Sequence, residues 1–280
     1  MKNSLYMTTA IAVAAAGVLA FGANDAVAAE KAKKMSIGVS GFMVSKVGYA
    51  KQEGTFEGTS GSSAGTGYDT FDIQNDSEVH FKGTTKLDNG ISVSVVIELE
   101  TDQAQAGVID ASYLKLTGGF GDVRIGSYVH ASAVLSHKAP GAGALNYFGG
   151  DTKVWIHKPS AVSVSANAGV DIGGGDTMKI VYLTPRYSGF GLGVSYQPSS
   201  TSVDTMPATG GNGGTDTQTF NLAAVYEAKV GSADVKADVG YWEDNGTDAN
   251  SAEAYQLGVN VTFGAITVGG QYMDKASKDS

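Results

Sequence analysis

From Asp72 to Leu87 the chain alternates without a break. Ile73, Asn75, Ser77, Val79, Phe81, Gly83, Thr85 and Leu87 fall on one side of an extended strand, and Asp72, Gln74, Asp76, Glu78, His80, Lys82, Thr84 and Lys86 fall on the other. Successive side chains of a strand point to opposite faces, so the pattern predicts a strand with one charged face. Asp88-Asn89-Gly90 follows, and its Asn-Gly pair readily supplies the positive φ angles of a tight hairpin. The period restarts with Ile91, Val93, Val95, Ile97 and Leu99 against Ser92, Ser94, Glu98 and Glu100, and Val96 is the one interruption. Each arm is longer than the usual strand of a soluble protein, and ~9 to 11 tilted residues cross the hydrocarbon of a bilayer. Full charges are costly to bury but cost little against water. An apolar face toward lipid and a charged face toward an aqueous lumen is the pattern of a transmembrane barrel.

The same alternation recurs along the chain. It predicts eleven strands, at about 36–49, 72–87, 91–100, 109–116, 123–128, 178–185, 190–196, 220–227, 234–241, 255–263 and 266–272. Short turns alternate with long loops throughout, the parity expected when one end of a barrel carries turns and the other carries loops. The longest irregular stretch is the third loop, about 129–176; its weak alternation at Ala161 to Ala166 is assigned to the loop. A connection of that length in a compact domain is expected to be functional. Tyr49, Tyr128, Tyr196, Tyr226, Tyr241, Trp242 and Phe263 lie near strand ends, where a barrel carries its interfacial aromatic girdles.

Three segments resemble one family. The run from Glu78 to Gly90 is similar to the second and third strands of the general porins of the Gram-negative outer membrane. Leu116 to Ser127, LTGGFGDVRIGS, resembles the Gly-Phe-Gly turn and flanking strands of the same family, and Leu145 to Thr152, LNYFGGDT, resembles the tip of its third loop. The resemblance implies an all-β fold, a transmembrane antiparallel up-and-down β-barrel of sixteen strands, of which eleven are present. The family usually ends in an aromatic residue, whereas this chain ends Lys278-Asp279-Ser280, so the closing strands are expected to be missing, as in a fragment or truncated gene product. The implied function is a water-filled channel for passive diffusion of small hydrophilic solutes and ions, working as a homotrimer in the outer-membrane bilayer. A structural or adhesive barrel with a plugged or incomplete pore is the alternative.

Composition narrows this further. The chain has 280 residues, 39 glycines, 5 prolines, no cysteine and a formal net charge of −9. Without cysteine there is no disulfide framework, thiol nucleophile or thiolate metal site, and the acidic balance excludes a general nucleic-acid binder. Residues 5–23 form an apolar, alanine-rich run after Lys2, closing near Ala26-Val27-Ala28. This predicts a secretory signal peptide over 1–28, cut after Ala28, and a barrel domain over 29–280. Removing Lys2 and Asp25 with it leaves the net charge at −9.

Chemistry is sparse. His130, His137 and His157 share the third loop, but no carboxylate accompanies them at metal-ligand spacing, and no serine motif surrounds them. The glycine runs at 173–175 and 210–214 lack the strand, helix and Lys-Ser/Thr pair of a phosphate loop. No enzyme, cofactor or metal is expected. The candidate working residues are lumen charges: Lys46, His80, Lys82 and Arg124 on the polar faces of early strands, with Glu98 and Glu100 beside them. By the resemblance, basic residues of early strands face acids on the third loop, and Asp151 is the matching acid. The family commonly has Leu-Pro-Glu before Phe-Gly-Gly-Asp; here Asn146 and Tyr147 replace the Pro and Glu. The acidic excess points to mild cation preference.

Overall fold

The computed structural model describes residues 35–51, 70–101, 109–140, 172, 175–199, 218–245 and 251–277. Among the described residues eleven strands are formed: Ser36–Tyr49 (β1), Phe71–Lys86 (β2), Ser92–Glu100 (β3), Ile109–Gly118 (β4), Gly121–Tyr128 (β5), Thr177–Leu183 (β6), Phe190–Gln197 (β7), Thr219–Val230 (β8), Ala233–Asp244 (β9), Ala252–Phe263 (β10) and Ile266–Ser277 (β11). They make one antiparallel sheet in which every strand pairs with its sequence neighbours, in the order β1 to β11. The expected count and order are therefore met.

The Asn89-Gly90 turn forms as the sequence requires. Leu87 N–H donates to Ile91 O at 2.8 Å, Gly90 N–H donates to Leu87 O at 2.9 Å, and Gly90 takes a φ of +85° that a side chain would resist. Strands β8 to β11 are each 12 residues long, several longer than the apolar alternation alone predicts. Their polar ends still pair: Lys229 lies opposite Asp234, with Nζ and Oδ1 at 3.4 Å.

Direct antiparallel partners share a face, so the register sorts the side chains of the whole sheet. One face carries Ile37, Val39, Phe81, Ile97, Leu114, Ile125, Ile180, Tyr196, Phe220, Leu222, Val239 and Leu257, linked pair by pair across the strands. Ile37 is 78% exposed, Ile180 53% and Leu257 46%. A continuous apolar surface of this extent marks an interaction face. Val95 and Ile97 belong to this open face, which is incompatible with the shielded core of a soluble sandwich.

The opposite, inner face carries Gln74, Glu78, His80, Lys82, Glu98, Tyr113, Arg124, Lys179, Ser195, Asn221, Asp238 and Gln256. Val96, the interruption in β3, falls on it between Lys82 and Tyr113 and is buried. Two aromatics expected in the outward girdles also turn inward. Tyr128 stacks near Tyr113, with ring centroids 4.4 Å apart, and Trp242 pairs with Asn221 and lies under the Lys275 ammonium at 5.0 Å. Tyr196, Tyr226 and Tyr241 stay on the apolar face with Phe220, Phe190 and Tyr255.

The third loop is not wholly irregular. Ala131–Leu135 forms a short helix, α1, that lies against β6 to β9 on the inner face. The weak alternation at 161–166 lies outside the described residues, as does the expected signal peptide.

Candidate functional site

The inner face divides into two parts with different chemistry. From β6 to β10 it holds a segment of the third loop. A helix of five residues satisfies few of its own backbone groups, because its first N–H donors have no partner one turn back. The strands supply those partners. Ser195 Oγ accepts from Ala131 N–H at 3.1 Å and sits 2.8 Å from His130 Nδ1. Asn221 Oδ1 accepts from Ser132 N–H at 2.8 Å, while its amide donates to Ser132 Oγ at 2.7 Å. That hydroxyl in turn donates to Ile172 O at 2.6 Å.

The anchoring continues across the next strands. Gln256 Oε1 accepts from Ile172 N–H at 3.1 Å, and its amide donates to Asp238 Oδ2 at 2.9 Å. Asp238 Oδ1 accepts from His137 N–H at 2.6 Å, and Asn260 donates to Lys138 O at 2.9 Å. Ser195, Asn221, Asp238 and Gln256 come from four successive strands and are all buried. Each replaces a bond that a backbone group would otherwise make to water, so together they tie the loop segment to the wall.

Apolar contact and missing side chains complete the seat. Ala131 and Leu135 pack with Val181, Leu183, Ala223 and Val225, so this part of the inner face is a small core. At Gly193 an added Cβ would lie 2.9 Å from Leu135 Cδ1 and 3.0 Å from Ala131 Cβ; at Gly240 it would lie 2.9 Å from Ser132 Cβ. The helix reaches the sheet because those positions carry no side chain. Burial, with the Lys179 charge nearby, holds the His130 imidazole far below the usual histidine range, at about 3. The loop is thus docked through a neutral histidine at neutral pH.

From β1 to β5 the inner face is charged and largely half-buried. His80 lies directly opposite Glu98, and Glu78 opposite Glu100, across the β2–β3 pair; Lys46 lies opposite Gln74 and Lys82 opposite Val96. His80 Nε2 is 2.6 Å from Glu78 Oε2. Arg124, on β5, is held by Asp122 through two bonds of 3.1 Å and stacks over the Tyr128 ring at 4.7 Å. Lys115 joins the same carboxylate at 2.8 Å. At the start of β6, Lys179 is buried and donates to Gly175 O at 2.8 Å and to Tyr128 O, closing the join between the third loop and the sheet. Beside it, Asp176 is raised to about 6, chiefly by burial and then by the negative charge of Asp110.

A continuous apolar exterior, a charged interior and an inward loop are the parts of a membrane pore. A family model described as Gram-negative porin matches residues 8–280. The chain belongs to the Gram-negative porin family.

This porin is a channel of the outer membrane. Solved structures similar to it include an anion-selective porin from Comamonas acidovorans, at 19% identity, covering 88% of this chain and 80% of that one with a TM-score of 0.44. A variant of the Rh. blastica porin matches at 16% identity, covering 87% and 85%, with a TM-score of 0.40. OmpT, an outer membrane protein of Vibrio cholerae solved in a trimer form, matches at 10% identity, covering 90% and 93%, with a TM-score of 0.26. A search of curated protein sequences finds no significant match.

Six of the candidate lumen residues lie on the inner face of the porin: Lys46, His80, Lys82, Glu98, Glu100 and Arg124. Asp151 and the cleavage position Ala28 lie outside the described residues. Glu98 and Glu100, expected beside the basic residues, lie across the β2–β3 pair from His80 and Glu78. The anchors Ser195, Asn221, Asp238 and Gln256 were not singled out from the sequence. Their only signal there is a polar residue at alternate positions of an otherwise apolar strand, which any water-facing wall also shows.

Proposed function

We propose that the porin passes small hydrophilic solutes and ions by passive diffusion and sorts them by the field of the β1–β5 wall. No bond is made or broken. Lys46, His80, Lys82, Glu98, Glu100 and Arg124, with Asp151 of the third loop, are the residues assigned to pore lining. The observation that carries the reading is the register: it aligns these strand charges on the face opposite a continuous apolar surface. Charges cost least where they meet water, so that face lines the solute path.

The residues contribute unequally. Arg124 is neutralised by Asp122 and shielded by two tyrosine rings, so it shapes the wall more than it sets the field. On β2 to β4, Asp72, Asp76, Glu78, Glu98, Glu100 and Asp110 outnumber Lys82, Lys86 and Lys115, which favours cations over anions. The porin works as a homotrimer embedded in the lipid bilayer, exported by a signal peptide cut after Ala28; the similarity to family members supports the assembly, and the N-terminal pattern supports the export.

Single-channel recording in a planar bilayer tests this. Stepwise, ohmic openings are expected, with a reversal potential in a potassium chloride gradient that favours the cation. Glu98→Gln is expected to move that potential toward the anion, and Lys82→Gln to move it the other way. Absence of steps from trimers that are shown to be folded would instead leave a plugged structural barrel. Steps with unmoved potentials in both variants would remove these residues from the pore lining.

A further inference from the structure

The inner wall carries a constellation that diffusion does not require. Glu78 and His80 stand two residues apart on one face of β2, and Glu98 stands directly across from His80 on β3. One ligand atom from each, two carboxylate oxygens and an imidazole nitrogen, lie within 4.8 Å of one another. Glu78 Oε2 and His80 Nε2 already touch at 2.6 Å. We infer that Glu78, His80 and Glu98 form a binding site for a borderline divalent metal ion of the zinc class.

The chemistry follows from the ligand set. Imidazole with carboxylates suits zinc and its neighbours, whereas calcium and magnesium prefer oxygen alone. Bonds of about 2.0 to 2.2 Å to nitrogen and oxygen at tetrahedral angles put ligand atoms about 3.4 Å apart. The hydrogen bond between Glu78 and His80 therefore has to open slightly, and the Glu98 oxygen, within 4.8 Å of both, has to settle at the same spacing, both within the reach of side-chain rotation. The backbone need not move, because paired strands hold the three Cα atoms. Three protein ligands leave the fourth position to water or to a passing solute group, as in open zinc sites.

Surroundings favour a cation there. Glu100 lies opposite Glu78, and Asp76 is the next inward residue on β2, so the site sits in a patch of like charges that a divalent ion relieves. The histidine distinguishes it from a general acidic surface. A porin carrying such a site would retain a metal ion on the wall of its solute path, so the inference rests on the pore reading for its consequence but not for the binding itself.

Titration of the folded, metal-stripped protein in detergent with zinc chloride, followed by calorimetry, tests the site independently of conduction. One saturable zinc site per chain is expected. His80→Gln and Glu98→Gln are each expected to weaken it by at least the roughly 10- to 100-fold that follows loss of a mere supporting contact. Should His80→Gln fail to fold, Glu98→Gln alone reads the same outcome. Calcium chloride is expected to bind more weakly and to be indifferent to His80→Gln. No saturable zinc binding, or zinc binding unchanged in the variants that fold, overturns the site. If zinc binds as expected while no channel steps are seen, the metal site stands and the transport reading falls.

Discussion

Asn221 is the anchor on which the docked loop depends most directly, and Asn221→Leu isolates it. Its side chain is fully buried, accepts from Ser132 N–H at 2.8 Å and donates to Ser132 Oγ at 2.7 Å. Leucine has the same branching at Cγ and offers neither bond. Ser132 N–H lies in the first turn of α1 and has no backbone acceptor there, so it becomes a buried donor without a partner, at a cost of ~1 to 3 kcal/mol. Loss of the second bond adds ~0.5 to 1.5 kcal/mol. The docked state is thus weakened by about 2 to 4 kcal/mol in all, a population change of about 30- to 900-fold at 1.36 kcal/mol per tenfold. Ser195, Asp238 and Gln256 still hold the segment, so the barrel itself is expected to assemble. Two assays follow the loop. Single-channel current is expected to become larger and noisier, and trypsin cleavage after the exposed Lys138 is expected to quicken in the folded protein. If Asn221→Leu trimers fold yet match the parent in both current and cleavage time, the loop is not held by this wall and the anchoring argument is wrong.

Two further outcomes follow from the same geometry. Val95→Arg places a guanidinium on the lipid face beside Leu114 and is expected to destabilise the barrel by ~2 to 4 kcal/mol if the position is near the midplane, measured by unfolding in denaturant from lipid vesicles; no loss would place Val95 away from hydrocarbon. His130 is held near 3 in the fold against about 6.5 when unfolded, so the folded state binds fewer protons between those values. Stability is therefore full above about pH 6.5 and falls as pH drops through that window, by a few kcal/mol on the order of the pKa difference. Melting temperature between pH 7.5 and 4.5 measures it; the acid slope is expected to shrink in His130→Asn, and an unchanged slope would mean that His130 is not buried neutral.

The alternation of Ile73 to Leu87 and of Phe220 to Tyr226 was enough to place the strands, their order and their two faces, because a side chain's face in a strand depends on the parity of its position alone. Asn89-Gly90 located its hairpin for an equally local reason, since only a few residues accept a positive φ. Family membership was legible in short runs such as Glu78 to Gly90. Parity, however, states only that a side chain points inward, not what it meets there. Tyr128 and Trp242 were misplaced because an aromatic near a strand end looks the same facing lipid or lumen. Arg124 was readable as a lumen charge, but its neutralisation depends on the rotamers of Asp122 and of the two tyrosines around it.

Distance along the chain separates what was readable from what was not. Ser132 and Asn221 are 89 positions apart, and Ser132 and Gln256 are 124 apart, so no local pattern couples them. Only the tertiary structure brings the third loop to the wall and turns four ordinary polar residues into its anchors, with Gly193 and Gly240 as the spaces it fills. The amino-acid order by itself determined which side of each strand prefers water. Folding decided which of those water-seeking groups keep it and which exchange it for the chain's own backbone, because that choice depends on contacts made across the sheet.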